Sequence, residues 1–209
     1  MPAEHLTVFI IDDDAAVRDS IALMLGLAGY RTTTFADAEA FLAARKEEWA
    51  GCIIADVRLP GLSGVELQSE LRRLRLTLPF IIITAHGDVQ IARAAFRSQA
   101  VDFLEKPFDD KQLFAAIDTA FALEEHRIRQ RDSRREDALK LERLTSRERE
   151  VLEHAARGLH AKEIAAALGI SPRTVEVHKT RIMEKLGVRN VAELVRLAIA
   201  ATPPEDEKI

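Results

Sequence analysis

The stretch VFIIDDDAAVR, residues 8–18, decides the fold. Val8 to Ile11 are four consecutive apolar residues, a run of the length of a buried strand. Three carboxylates, Asp12, Asp13 and Asp14, follow at once. Like charges a few ångströms apart repel by about 1 kcal/mol in water and about 4 kcal/mol near a protein surface. Beyond them Val17, Ile21 and Leu25 recur at a step of four, the spacing of an amphipathic helix. The sequence therefore crowds acidic groups at the carboxyl end of a core strand, the place where open α/β sheets hold their ligands.

The alternation continues to about residue 122. Strand-like runs fall at Thr7–Ile11, Arg31–Phe35, Cys52–Asp56, Phe80–Thr84 and Val101–Leu104. Helical spacing lies between and after them, as in Val65, Leu67, Leu71, Leu74 and in Leu113, Ile117, Phe121. Five strands alternating with five helices predict an α/β fold, a doubly wound five-stranded parallel sheet covered on both faces. From Thr145 onward the pattern is helical only, which predicts a second, all-α four-helix domain. Thr145 or Ser146 opens its first helix and Gly158 ends it. A short helix, Ala161–Leu168, stops at Gly169. Ser171-Pro172 opens a third that runs to Leu186, and a fourth spans about Asn190–Ala200. The expected organisation is a first domain over 1–122, a charged linker over 123–144, the helical domain over 145–201 and a loose tail over 202–209. The linker contains no Pro or Gly, so it can either continue the preceding helix or fray as a solvated tether.

Composition narrows the function classes. The chain has 209 residues, 47% of them apolar, a globular balance in a length suited to one or two domains. No apolar run approaches the roughly 18 residues of a membrane span. The N-terminus lacks the basic and apolar regions of a signal peptide. Cys52 is the one cysteine and reads as a reduced core thiol. These features point to a cytoplasmic protein with no membrane partner. The net charge of −4 is uneven. Residues 1–122 carry 12 Lys/Arg against 18 Asp/Glu, whereas residues 145–201 carry 10 against 7. Opposite charge balances imply different partners for the two domains.

The ends of the strands carry the chemistry. Asp12-Asp13-Asp14 follow the first strand, Asp56 closes CIIAD, Thr84 closes FIIIT, and Lys106-Pro107 follow the fifth strand in VDFLEKPF. In a doubly wound sheet all four converge on one edge. Carboxylates, a hydroxyl and an ammonium around one spot suit a divalent cation and a phosphoryl group. Mg²⁺ takes oxygen ligands and keeps several waters, and a metal there relieves the repulsion among the carboxylates. Taken singly, Thr84 reads as a strand terminus, Phe103 as core and Lys106 as a surface lysine; their joint placement argues for the site.

This constellation resembles the receiver domain of bacterial response regulators, a flavodoxin-like fold, over residues 6–122. The resemblance implies that Asp56 is the phosphoacceptor. Asp13 would bind Mg²⁺ (or Mn²⁺) directly, Asp12 through water, and Asp56 and the backbone carbonyl of Arg58 would complete the protein ligands. Thr84 and Phe103 correspond to the switch pair and Lys106 to the phosphoryl-binding lysine, with a cis Lys106-Pro107 bond expected. Asp14 lies outside the acidic pair and is expected to cap a helix. Arg58 and His86, each two residues beyond a site residue, are expected at the mouth of the pocket. Receivers often have Gly before the fifth strand; here Gln99 stands there, which leaves the preceding helix end looser or differently closed.

The stretch LTSREREVLEHAARGLHAKEIAAALGISPRTVEVHKTRIMEKLGV has the pattern of a helix-turn-helix. It resembles the LuxR-type DNA-binding domain over about residues 143–201. The whole chain thus resembles response regulators of the FixJ type (NarL/LuxR subgroup). At 100° per residue, Val175, Ile182 and Leu186 face the core, with His178 and Lys179 at the border. Arg173, Glu176, Val177, Thr180, Arg181 and Glu184 point away from it. Arg reads guanine, Val177 suits a thymine methyl, and Glu176 can accept from cytosine N4. Lys162, Lys179 and Lys185 are placed for phosphates. His178 is expected to pack as a hydrogen-bonded histidine.

The function expected from the resemblance is a non-enzymatic transcription factor. A sensor histidine kinase would donate a phosphoryl group to Asp56, which would control homodimerisation and promoter DNA binding, with RNA polymerase as a further partner. Two rivals stand beside it. One is a phosphorylation-dependent protein adaptor without DNA binding. The other is an aspartyl-phosphate phosphatase, which places a second Asp as acid/base two residues after the nucleophile, where this chain has Arg58.

Overall fold

The structure is a computed structural model that describes residues 5–46, 48–85 and 100–201. The helix expected between the fourth and fifth strands, with His86 and Gln99, lies outside the described residues, as does the tail over 202–209. The chain divides into two compact units, one to Arg127 and one from Ile128.

The first unit is built from β1 (Thr7–Ile11), α1 (Ala15–Leu27), β2 (Arg31–Phe35), α2 (Ala38–Ala44), β3 (Gly51–Asp56), α3 (Gly64–Arg73), β4 (Phe80–Thr84), β5 (Asp102–Glu105) and the start of α4, which opens at Asp110. The five strands pair in parallel in the order β2-β1-β3-β4-β5. The chain steps from β1 outward to β2, then returns to lay β3 on the other side of β1. The strand order therefore reverses between β1 and β3, which opens a crevice at their carboxyl ends. The register brings Ile11 beside Ala55, Asp56 beside Ile83, and Thr84 beside Glu105, so the polar strand ends lie level along one edge.

The expected doubly wound parallel sheet is present. Both β3 and β4 are buried along their whole length, because helices cover both faces of the inner strands. The edge strand β2 is largely exposed, and its sequence RTTTF is correspondingly polar. On one face of the sheet Phe9 stacks on Trp49, with ring centroids 4.4 Å apart, and meets Phe41 edge-on at 5.9 Å. Cys52 is buried in β3 and unpaired; burial, with Glu124 as a lesser cause, pushes its thiol pKa up, so the thiol stays protonated. The caps set the loops around the sheet's carboxyl edge. Asp14 accepts from the N–H groups of Ala16 and Val17 and starts α1 one turn after β1. Ser63 and Glu66 form a reciprocal capping box that starts α3.

The helix α4 runs from Asp110 to Glu142, so the charged stretch after residue 122 is helical as far as Glu142. It is followed by α5 (Ser146–Ala156), α6 (Ala161–Leu168), α7 (Pro172–Leu186) and α8 (Val191–Ala201). Gly169 and Gly187 close α6 and α7 at φ +66° and +69°, where a side chain would be strained. Val151, Ile164, Val175, Ile182 and Leu194 are fully buried and form the centre of this unit. One ion pair, with a buried carboxylate and an exposed ammonium, crosses it. Glu148, 4% exposed, accepts from Lys185 Nζ at 2.7 Å and from the Thr145 N–H at 2.8 Å.

Burial pushes the Glu148 carboxyl up, but the Lys185 ammonium and the two Thr145 donors outweigh it and bring its pKa down from 4.5 to about 2. A carboxyl depressed in the folded state stabilises the fold above its unfolded pKa, and that contribution is lost as pH falls through the folded value. Lys185→Ala should therefore destabilise the second unit by about 1.5–3 kcal/mol at pH 7. Parent and variant should converge as the pH is lowered from about 4.5 towards 2, read as urea unfolding midpoints by circular dichroism.

Candidate functional site

Asp12, one residue past β1, and Asp56, the last residue of β3, point into the crevice between those strands and are nearly buried, at 1% and 8% exposure. Lys106, one residue past β5, reaches across to both. Its Nζ donates to Asp12 Oδ2 at 2.7 Å and to Asp56 Oδ2 at 2.6 Å. The second oxygen of each carboxylate is also held, since Asp12 Oδ1 accepts from the Asp14 N–H and Asp56 Oδ1 from the Arg58 N–H, both at 2.9 Å. Burial pushes the Lys106 ammonium towards losing its proton, but the hydrogen bonds to Asp12 and Asp56 outweigh burial and raise its pKa. The lysine is thus a fixed positive charge. The Lys106-Pro107 bond is cis.

Thr84 closes β4 at 1% exposure. Phe103 lies in β5 opposite Ile82, on the same face of the sheet as Thr84 two residues further on. It is half-buried and packs on the aromatic core around Phe9. Asp13 is exposed beside the crevice, and Asp14 is occupied as the cap of α1. Among the described residues, no three acidic, His or Cys side chains are gathered into a ready metal cage. The donor set nevertheless fits Mg²⁺, which is commonly bound through one or two carboxylates with water in its remaining positions. Two buried carboxylates converging on one spot supply that donor set. His86 lies outside the described residues.

Two residues that support this edge have no motif in the sequence. Arg18 in α1 donates to the Asp12 carbonyl at 2.6 Å. Glu39 in α2 accepts from the Leu62 N–H at 3.1 Å and pins the loop that follows Asp56. A Cβ on Gly61, at φ +74°, would lie 2.3 Å from the Glu39 carboxylate, so the glycine lets loop and carboxylate meet. The glycines and proline of PGLSG, residues 60–64, are the one sequence signal of this turn, and nothing local to Glu39 marks it as the partner.

The second unit presents α6, the Gly169 turn and α7 as a helix-turn-helix. Ser171 accepts from the Thr174 N–H and Pro172 occupies the first turn of α7. Val175, Ile182 and Leu186 are buried in α7, whereas Arg173, Glu176, Thr180 and Arg181 are exposed and Val177 is 44% exposed. Lys162 on α6 is exposed. Lys179 is tied at 3.2 Å to Glu176, and Lys185 is held by Glu148. The expected hydrogen bond of His178 is not found at Nδ1, which is buried without a partner among the described residues. The ring sits at the edge of an apolar face that offers Nδ1 no donor or acceptor.

Comparison with known proteins agrees with both units. The family model for response regulator receiver domains matches residues 8–118, and that for bacterial regulatory proteins of the luxR family matches residues 142–198. The chain is 44% identical to the transcriptional regulatory protein FixJ of Azorhizobium caulinodans over 205 residues, 98% of this chain and 97% of the relative. It is 43% identical to FixJ of Bradyrhizobium diazoefficiens, over 93% of this chain and 95% of that one. The solved structure of the response regulator StyR matches with a TM-score of 0.79 at 40% identity, covering 93% of this chain and 98% of that chain. Full-length FixJ from B. japonicum matches with a TM-score of 0.58 at 42% identity, covering 93% and 96%. A parallel sheet with its acidic edge and a helix-turn-helix, each matched by its own family along one chain, make this protein a member of the FixJ-like response regulators of transcription, with a receiver domain and a LuxR-type DNA-binding domain.

Proposed function

We propose that Asp56 is the residue that accepts a phosphoryl group, from a partner histidine kinase, and that this modification controls dimerisation and promoter binding. The observation that carries the reading is the bridge of Lys106 Nζ to Asp12 and Asp56 at 2.7 and 2.6 Å. It identifies the carboxylate that closes β3 as one already facing a fixed cation, at the crevice where the sheet binds ligands. In the transfer, an Asp56 oxygen attacks phosphorus, the P–N bond to the kinase imidazole breaks, and the imidazole nitrogen takes a proton from solvent. Lys106 and the Thr84 hydroxyl bind the phosphoryl oxygens that result. Asp12, Asp13, Asp56 and the Arg58 carbonyl would hold Mg²⁺ or Mn²⁺, which would supply charge neutralisation on those oxygens.

Thr84 and Phe103 share a sheet face, so a hydroxyl drawn towards the phosphoryl group leaves space into which Phe103 turns. That change alters the β5–α4 surface, through which two copies of the chain associate. On DNA, Arg173, Glu176, Val177, Thr180 and Arg181 face the bases. Lys162, Lys179 and Lys185 serve the phosphates, the last two by exchanging their carboxylate partners. One recognition helix spans few base pairs, and a dimer reads two half-sites about 10 base pairs apart. RNA polymerase is the downstream partner, and the place of action is the cytoplasm; among the described residues no helix is long and apolar enough to cross a membrane.

Asp56→Asn should abolish phosphoryl uptake from acetyl phosphate, measured by intact mass, while circular dichroism stays unchanged. Asp13→Ala should weaken Mg²⁺ dependence strongly and Asp14→Ala should leave it intact. Uptake by the Asp56 variant at another residue would overturn the assignment.

Sedimentation should show a monomer that becomes a dimer on phosphorylation, and a strict monomer on and off DNA would refute the dimer model. In mobility shifts Arg181→Ala should change base preference at a cost of about 1–3 kcal/mol, whereas Lys179→Ala should weaken all sequences alike and flatten the salt dependence.

A further inference from the structure

The receiver unit has two adjoining hollows at the end of the sheet opposite Asp56, where β4 begins. One, of about 260 Å³, is lined by Leu71, Arg72, Phe80, Leu123, Glu124 and Arg127 among others. The other, of about 280 Å³, includes Lys46, Trp49 and Arg75 in its wall. Leu76, Thr77, Leu78 and Arg127 border both, so the two form one cleft divided by a short loop.

The charge around this cleft is of one sign. Lys46, Arg72, Arg75 and Arg127 ring it, and among the described lining residues Glu124 is the one carboxylate. Glu124 is fully buried, and both its oxygens accept from Arg127, Oε2 from Nε at 2.7 Å and Oε1 from Nη2 at 2.6 Å. It is therefore already neutralised and anchors Arg127 at the wall. Lys46, Arg72 and Arg75 have no ion-pair partner among the described residues. Three exposed cations thus rim an apolar floor of Leu71, Leu76, Leu78 and Phe80, a surface of one sign that attracts an anion.

The backbone at Arg75 points the same way. Arg75 has φ +57°, the one non-glycine residue with positive φ among the described residues. It closes α3: its N–H donates to the Arg72 carbonyl and the Leu76 N–H to the Leu71 carbonyl, each at 2.8 Å. Glycine fits such a position without strain. An arginine there sacrifices stability for a side chain at the cleft, the pattern of strain kept at a functional position.

We propose that this cleft binds a small organic anion, an apolar body of about one ring carrying a carboxylate, with the body on the Leu71–Phe80 floor and the head at Arg72 and Arg75. A hollow of about 150 Å³ holds benzene, so 260 Å³ admits an aromatic acid with water to spare. The site lies at the opposite end of the sheet from the acidic edge.

Trp49 is the only tryptophan of the chain and lines the second hollow, so its fluorescence reads the cleft directly. The full-length protein is titrated at constant ionic strength with benzoate, with benzyl alcohol as the uncharged body, and with inorganic phosphate as a charged head without a body. Benzoate should give a saturable change and bind at least about tenfold more tightly than either control. Arg72→Gln and Arg75→Gly should each weaken benzoate several-fold. Arg75→Gly should at the same time raise the urea midpoint, because glycine relieves the left-handed strain. The proposal is overturned by the absence of a saturable benzoate signal, by phosphate or benzyl alcohol binding as tightly as benzoate, or by unchanged benzoate affinity in both variants.

Discussion

One ammonium held between two buried carboxylates organises the receiver unit. Without Lys106, the carboxylates of Asp12 and Asp56 would face each other across the crevice with no cation between them. With it, three strands that are distant in sequence are tied at their carboxyl ends, β1 through Asp12, β3 through Asp56 and β5 through Lys106. The repulsion encoded in the acidic run is thus managed in layers. Asp12 is paired, Asp14 is turned to cap α1, and Asp13 is left in solvent beside the crevice.

The second unit solves a comparable problem with Glu148 and Lys185, but the product is rigidity. The carboxylate caps α5 through Thr145 and grips the last turn of α7 through Lys185. The recognition helix is thereby fixed against the first helix of its domain. On the proposed reading, its exposed face then meets DNA as a fixed array of side chains from Arg173 to Arg181.

The sheet and the polar strand ends were legible in the sequence because parallel strands buried on both faces leave uninterrupted apolar runs, and VFIID and CIIAD end those runs on a carboxylate; the strand order was not, since apolar runs carry no information about which strands pair. The faces of α7 were legible for a similar reason, since 3.6-residue periodicity separates Val175, Ile182 and Leu186 from Arg181. Partnerships between distant residues were not. Glu39 and Leu62, and Glu148 and Lys185, each involve a glutamate that looks solvated from its neighbours in sequence. In the fold Glu148 is buried, whereas Glu39 stays exposed while it holds the Leu62 N–H, and neither outcome follows from the local sequence. Lys185 shows the consequence: its place on the helix suggested a phosphate contact, whereas its nearest charge is inside its own domain. His178 shows the reverse, because periodicity put it at the edge of the core but could not supply a partner for Nδ1.

The same bridge that stabilises the receiver sets the scale of its switching. On the proposed reading, phosphorylation replaces the Asp56 carboxylate with a group of charge about −1.5 to −2 whose oxygens lie further from the backbone. Lys106 cannot keep its present geometry to both Asp12 and the original Asp56 oxygen. Leaving such a partly buried pair broken would cost about 3–5 kcal/mol. The phosphoryl oxygens recapture the ammonium where they now lie, and the flexible lysine stem and the loop that carries it follow them. A swing from 1:99 to 99:1 between two conformations needs about 5.5 kcal/mol of differential stabilisation. Re-pairing of one lysine is therefore of the right size to supply most of that difference, with the Thr84 hydroxyl and a metal ion adding the remainder. The lysine that holds the resting site together is then also the lever that moves it.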